Sequence, residues 1–142
     1  DWSMSPSIGS KLLAALRAST YLKVLDLAFT NLGDCHSGEL AALLNGAKCS
    51  LTELDISGNV KLTERACKSI ASALRVNSSL RTLRMSGCGF GIEGCRNLID
   101  VLDDNCVLEN LACDHEKCLF NPLCRDGTLE KLVYMTLQSE EE

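Results

Sequence analysis

Gly89-Phe-Gly91-Ile-Glu-Gly94 is a GxGxxG, the spacing with which a loop brings backbone amides up to a pyrophosphate at the start of a helix. The alternating run Leu80 to Ser86 precedes it as a strand would, and Cys95 to Asp104 follows with a helical pattern. Asp114 stands about 20 residues past the last glycine, where a ribose-binding acid belongs. A second constellation, Cys106, Cys113, His115, Cys118 and Cys124, carries the thiolate and imidazole groups that suit zinc. Its uneven intervals lack the paired C-x-x-C knuckles of a structural zinc site. Nucleophilic catalysis needs a thiol or hydroxyl beside a base, and the histidines are His36 and His115. Cys35 and His36 are adjacent, and neighbours on a helix are expected to point in different directions. Neither an acid pair nor a triad emerges, so no catalytic residue, resident metal or cofactor is expected.

The elements around these residues repeat. Leu22, Leu25, Leu27; Leu51, Leu54, Ile56; Leu80, Leu83, Met85; and Leu108, Leu111, Cys113 share an L-x-x-L-x-L frame. The starting leucines Leu22, Leu51, Leu80 and Leu108 recur at an almost constant interval of roughly 29 residues. A helical half follows each strand half. Leu32, His36, Leu40 and Leu44 match Phe90, Gly94, Leu98 and Leu102, and one extra residue shifts the second unit to Leu62, Ala66, Ile70 and Leu74. Spacing by four places these side chains on one helical face. Each unit is therefore a short strand and an amphipathic helix, neither of which can bury its apolar side without a stacked neighbour.

This pattern resembles the leucine-rich repeat family, in its ribonuclease-inhibitor-like type, from roughly Ile8 to Cys118. The resemblance implies an α/β fold, a right-handed leucine-rich-repeat solenoid in a short horseshoe arc, with parallel strands on the concave side and helices on the convex side. It also implies that the Asn or Cys in the bend after each strand bonds to backbone groups there. Asn59 and Cys88 fit, Thr30 is a polar substitute, and Glu116 departs from the pattern. Gly94 then falls where other units carry His36 and Ala66, at an expected tight helix–strand contact, and the GxGxxG becomes part of the repeat. His36 takes a packing or capping role, and the sequon Asn77-Ser-Ser becomes the polar turn between helix and strand.

The whole chain, 1–142, reads as a single domain. An N-terminal helical cap or half repeat at 1–21 starts from a Ser5 N-cap and Pro6, with Ile8, Leu12 and Leu16 as its inner face and Trp2 placed to cover the end. Full repeats occupy 22–50, 51–79 and 80–107, irregular C-terminal repeats 108–138, and an acidic tail 139–142. Turns are expected at Asn121-Pro122 and Asp126-Gly127. Leu129, Leu132 and Tyr134 then resume the strand frame, sooner after Leu108 than a full repeat would allow.

Composition narrows the function. With 14 Lys and Arg scattered among 19 acids and a net charge of -5, a nucleic-acid backbone is a poor partner, and a protein with a basic surface is a better one. No apolar run reaches the ~18 residues that a membrane span takes, so none is expected. Nine cysteines without a compact framework suit a reducing, cytoplasmic setting. Six aromatics against 25 leucines leave few anchors for a partner. What remains is the open face of the strands, where Asp26, Asp55 and Arg84 should form one row. Candidate partner-binding residues are Asp26, Phe29, Glu53, Asp55, Thr82, Arg84, Asn110 and Asp114. The expected function is a non-enzymatic protein-interaction module using that face, its oligomeric state left open. The resemblance also implies, as alternatives, a GTPase-activating or inhibitor-type regulator of an enzyme, with Asn31 and Asn59 as rim residues; a structural end cap of a larger repeat protein is a further one.

Overall fold

A computed structural model describes residues 5–102, 107–113 and 132–134. Helix α1 (Pro6–Arg17) is followed by β1 (Val24–Asp26), a 3₁₀ turn (Asp34–His36) and α2 (Ser37–Asn45). Then come β2 (Glu53–Asp55), α3 (Glu64–Leu74), β3 (Thr82–Arg84), α4 (Gly91–Leu102), β4 (Asn110–Ala112) and β5 (Leu132–Tyr134). The sheet runs β1-β2-β3-β4-β5, and its described pairings are all parallel. The pairing Leu25↔Leu54↔Leu83↔Leu111 follows the leucine period without slip. Leu111 then pairs with Val133, one position later than the Leu108–Leu129 spacing projects.

The core lies between the strands and the helices. Leu54, Ile56, Leu83, Leu40, Leu62, Ile70 and Leu74 are fully buried, and Leu111 and Cys113 continue the core into the coil of β4. Each such leucine contributes about 1.5–3 kcal/mol of burial. The helical frame places Ala66, Ile70 and Leu74 inward as expected, but α1 departs from it. Gly9 and Leu13 are buried there, while Ile8 is 56% and Leu12 37% exposed. As the first helix of the described stack, α1 has a neighbour on one side, and the Gly9 and Leu13 stripe faces it. Ser5 does sit at the N-cap, but its side chain makes no capping bond; its carbonyl accepts from the amides of Ile8 and Gly9.

Asn59 locks one coil to the previous one. Its Oδ1 accepts from the amides of Thr30 (3.2 Å) and Leu32 (2.9 Å), and its Nδ2 donates to the carbonyls of Leu27 (2.9 Å), Ile56 (2.7 Å) and Ser57 (3.3 Å). Cys88 does the corresponding work one coil on, its thiol donating to the Ile56 carbonyl, and Thr30 donates to the Leu27 carbonyl. Asn77 holds the opposite bend, donating to the Leu44 carbonyl (2.8 Å) and accepting from the amides of Ser79 and Leu80. Only 7% exposed, it is part of the turn rather than an open glycosylation acceptor. Asp34 reaches from the first coil to the amide and hydroxyl of Thr63, which caps α3 in turn.

Two glycines of the GxGxxG, Gly89 and Gly94, serve the stacking, while Gly91 takes a left-handed φ of +61° in open space. A Cβ on Gly89 would meet the Val60 carbonyl oxygen at 2.5 Å, so that backbone approach admits only glycine. Gly94 packs against the preceding helix rather than against a strand. A Cβ there would lie 2.9 Å from that of Phe90 and 3.2 Å from that of Cys67 in α3. The position is small because consecutive helices of the stack touch there, which places no demand on a phosphate.

Asn59→Ala would orphan buried amides and carbonyls in two coils at once, and each lost partner costs about 1–3 kcal/mol. We expect a loss of about 3 kcal/mol or more, read as the fall in the urea midpoint at unchanged slope.

Candidate functional site

The open face carries the outward residues of β1 to β4 in two columns. One column runs Val24, Glu53, Thr82, Asn110, and the other runs Asp26, Asp55, Arg84, Ala112. Alternation along these short strands fixes this, because the leucine between each pair is turned to the core. All the candidate residues on these strands therefore share one surface, and Phe29 stands at its rim. Asp114 lies outside the described residues, as do Cys106, His115, Cys118 and Cys124 of the cysteine cluster. Among the described residues no group of His, Cys, Asp or Glu is arranged to hold a metal ion.

The charges do not pair as the row suggests. Arg84 lies beside Asp55 in register, yet its guanidinium turns to Glu53, 3.6 Å away. Glu53 sits on the other column, and the long arginine side chain reaches it diagonally. A second described ion pair, Arg81 with Glu109, lies outside these columns and is half-exposed, so it adds little. Asp26 and Asp55 consequently stand side by side with no described cation. Each uses Oδ1 to accept an amide two residues ahead, from Ala28 and from Ser57, both at 2.9 Å. These bonds bend both carboxylates toward the loop end of the strands.

Phe29 occupies that end. Its φ is +56°, a left-handed conformation unusual for a bulky side chain. The same place in the next two coils is held by Gly58 (φ +71°) and Gly87 (φ +70°). The ring fills the space that a Cβ on Gly58 would enter, and the residue is nevertheless 79% exposed. The sequence signal was available: aligned by the leucine frame, Ala-Phe29-Thr stands against Ser-Gly58-Asn and Ser-Gly87-Cys. Val60, on the following loop of the next coil, is 69% exposed as well. At the other end of the face, Thr82, Arg84, Asn110 and Ala112 border a shallow hollow of about 350 Å³ floored by Leu83 and Leu111.

Two expectations fail here. The rim role for Asn59 is excluded, since it is fully buried and its amide is consumed by backbone groups. Cys35 and His36 do touch, with the thiol 3.4 Å from Nδ1, because they lie in a 3₁₀ turn whose side chains crowd together. The imidazole is already engaged: Nδ1 accepts the Gly33 amide (3.1 Å) and Nε2 lies 3.2 Å from the Pro6 carbonyl, to which it donates. With both nitrogens occupied and 1% exposure, His36 ties α1 to the next coil and is not placed as a base for Cys35.

A family model described as Leucine Rich repeat matches residues 18–34, 47–71 and 76–98. The ribonuclease inhibitor of Sus scrofa is 34% identical over 103 residues, 72% of this chain and 22% of that protein. NACHT, LRR and PYD domains-containing protein 5 of Mus musculus is 34% identical over 110 residues, 76% of this chain and 9% of that protein. The chain thus spans about a fifth and about a tenth of these curated relatives. Among solved structures, Leiomodin-1 Actin-Binding Site 2 shares the fold, with a TM-score of 0.72 at 24% identity over 82% of this chain and 67% of that one.

Phe29 and Gly58 should be energetically coupled. Gly58→Ala is expected to cost about 2 kcal/mol, combining left-handed backbone strain with displacement of the ring. In a Phe29→Gly background only the strain remains, about 1 kcal/mol, so a double-mutant cycle by chemical denaturation should return a coupling of about 1 kcal/mol. Contacts that recur from each coil to the next, the unslipped leucine columns and the matches above together show that the chain belongs to the leucine-rich repeat family, in its ribonuclease-inhibitor-like type.

Proposed function

We propose that the chain is a non-enzymatic protein-interaction module that holds a partner with a basic surface on its concave strand face. The supporting observation is the pair Asp26 and Asp55, adjacent in register on an open sheet face and not neutralised by any described cation. Like charges left side by side cost stability, and a basic partner relieves that cost. The ribonuclease inhibitor, whose name says that it acts on another protein, is similar in sequence to most of this chain. Cys35 and Cys49 hold no disulfide, which suits a reducing cytoplasmic compartment, and no helix among the described residues is long and apolar enough to cross a membrane.

A second reading, a structural segment within a larger repeat stack, is favoured by the exposed Ile8 and Leu12 on α1 and Val24 on the β1 edge. The two readings separate in one experiment. A chain carrying Asp26→Asn, Asp55→Asn and Arg84→Gln keeps the turn-capping oxygens while removing the charges. Affinity capture with quantitative mass spectrometry should show a partner retained by the native chain and lost by the variant, with Tm within about 2 °C. A partner retained equally by both chains would favour the structural reading.

A further inference from the structure

Phe29 is held in a backbone conformation that glycine adopts at lower cost, as Gly58 and Gly87 do in the two following coils. Burial does not offset this, because the residue is 79% exposed. One side of the ring lies on Gly58, so the aromatic plane spans the columns of β1 and β2 at their loop end. Three residues back on those same strands stand Asp26 and Asp55, register partners whose Oδ1 atoms are pinned by the Ala28 and Ser57 amides. The surface therefore combines a flat, rigid apolar plate with two fixed negative charges on adjoining strands. Arg84, the nearest cation of the row, is turned away to Glu53.

We propose that Phe29, Asp26 and Asp55 together seat an arginine side chain from an extended segment of a protein partner. The inference rests on the reading of the strand face as the binding surface and names what that surface grips. A guanidinium suits both halves of the seat. It is planar and weakly hydrated, so it stacks on an aromatic face, and its fork of donors can serve two carboxylates on strands about 4.8 Å apart. An ammonium offers a point charge without the plane. An acidic segment is repelled by both aspartates.

The test uses the ¹⁵N-labelled chain and three probes: the N-acetyl methylamides of arginine, lysine and glutamate. The amides of Ala28 and Ser57 donate to the two carboxylates and so report directly on the seat. The arginine probe should shift both in a saturable way with a Kd in the millimolar range, about 5-fold tighter than the lysine probe, while the glutamate probe leaves them in place. Phe29→Gly should weaken the arginine probe about 2- to 5-fold, the share expected of an exposed cation–π contact. Asp26→Asn with Asp55→Asn should abolish saturation, and unchanged signals from Leu32 and Leu62 would show that each variant is folded. Equal affinity for arginine and lysine, or unchanged arginine affinity in Phe29→Gly, overturns the inference. If the arginine probe fails but the charge-neutral variant above still loses its captured partner, the inference falls while the binding surface stands. If capture is unaffected, the surface itself falls.

Discussion

A parallel ladder keeps its columns only if every residue pairs with its counterpart one turn on, so any difference in chain length between turns must be absorbed in the connections outside the strands. That constraint governs everything else in this molecule. Leu25, Leu54, Leu83 and Leu111 can occupy one column only because the chain spends almost the same length on each circuit of the coil. A slip of one would turn every leucine to water and every aspartate to the core. The extra residue of the second unit is therefore taken up before α3, in the loop between Asn59 and Thr63, where Lys61 pairs with Gly33 through an isolated bridge. Buried amides then fix the bends on either side, Asn59 after the strand and Asn77 before the next one.

The open face inherits its order from the same constraint. Register delivers Asp26 beside Asp55 and Thr82 beside Asn110 without any contact between those side chains being needed to hold the strands in place. Apart from the turn-capping oxygens of Asp26 and Asp55, side chains on this surface are not needed to set the register, and their chemistry can vary from coil to coil. The contrast with the inner residues is sharp. There Leu54, Ile56, Leu83 and Met85 are almost fully buried, and each coil repeats the same apolar character.

The leucine period made the strands, their order and the inward helical faces legible before any coordinates, because a repeat states the same information several times. Legibility ended where repetition ended. In α1 a single uncorroborated frame put Ile8 and Leu12 inward, when Gly9 and Leu13 are the residues that pack. At Gly94 the frame identified a tight place but not its neighbour, Cys67, which belongs to the adjoining coil and is remote in sequence. The side-chain pairing of Arg84 with Glu53 was equally out of reach, since the frame fixes columns and a long flexible side chain chooses among them. The contact of Cys35 with His36 depended on a 3₁₀ turn that no periodicity announced.

The coils are not clasped alike. Between the first and second, an amide with both donors and an acceptor bridges the bend, and Asp34 adds a carboxylate hook to the Thr63 cap. Between the second and third, the corresponding clasp is the Cys88 thiol on the Ile56 carbonyl, a weaker donor. Of these two described seams, the one between β2 and β3 would accordingly part first when the chain is stretched from its two ends. The first two coils would then stay together as a mechanical unit while the later ones unwound.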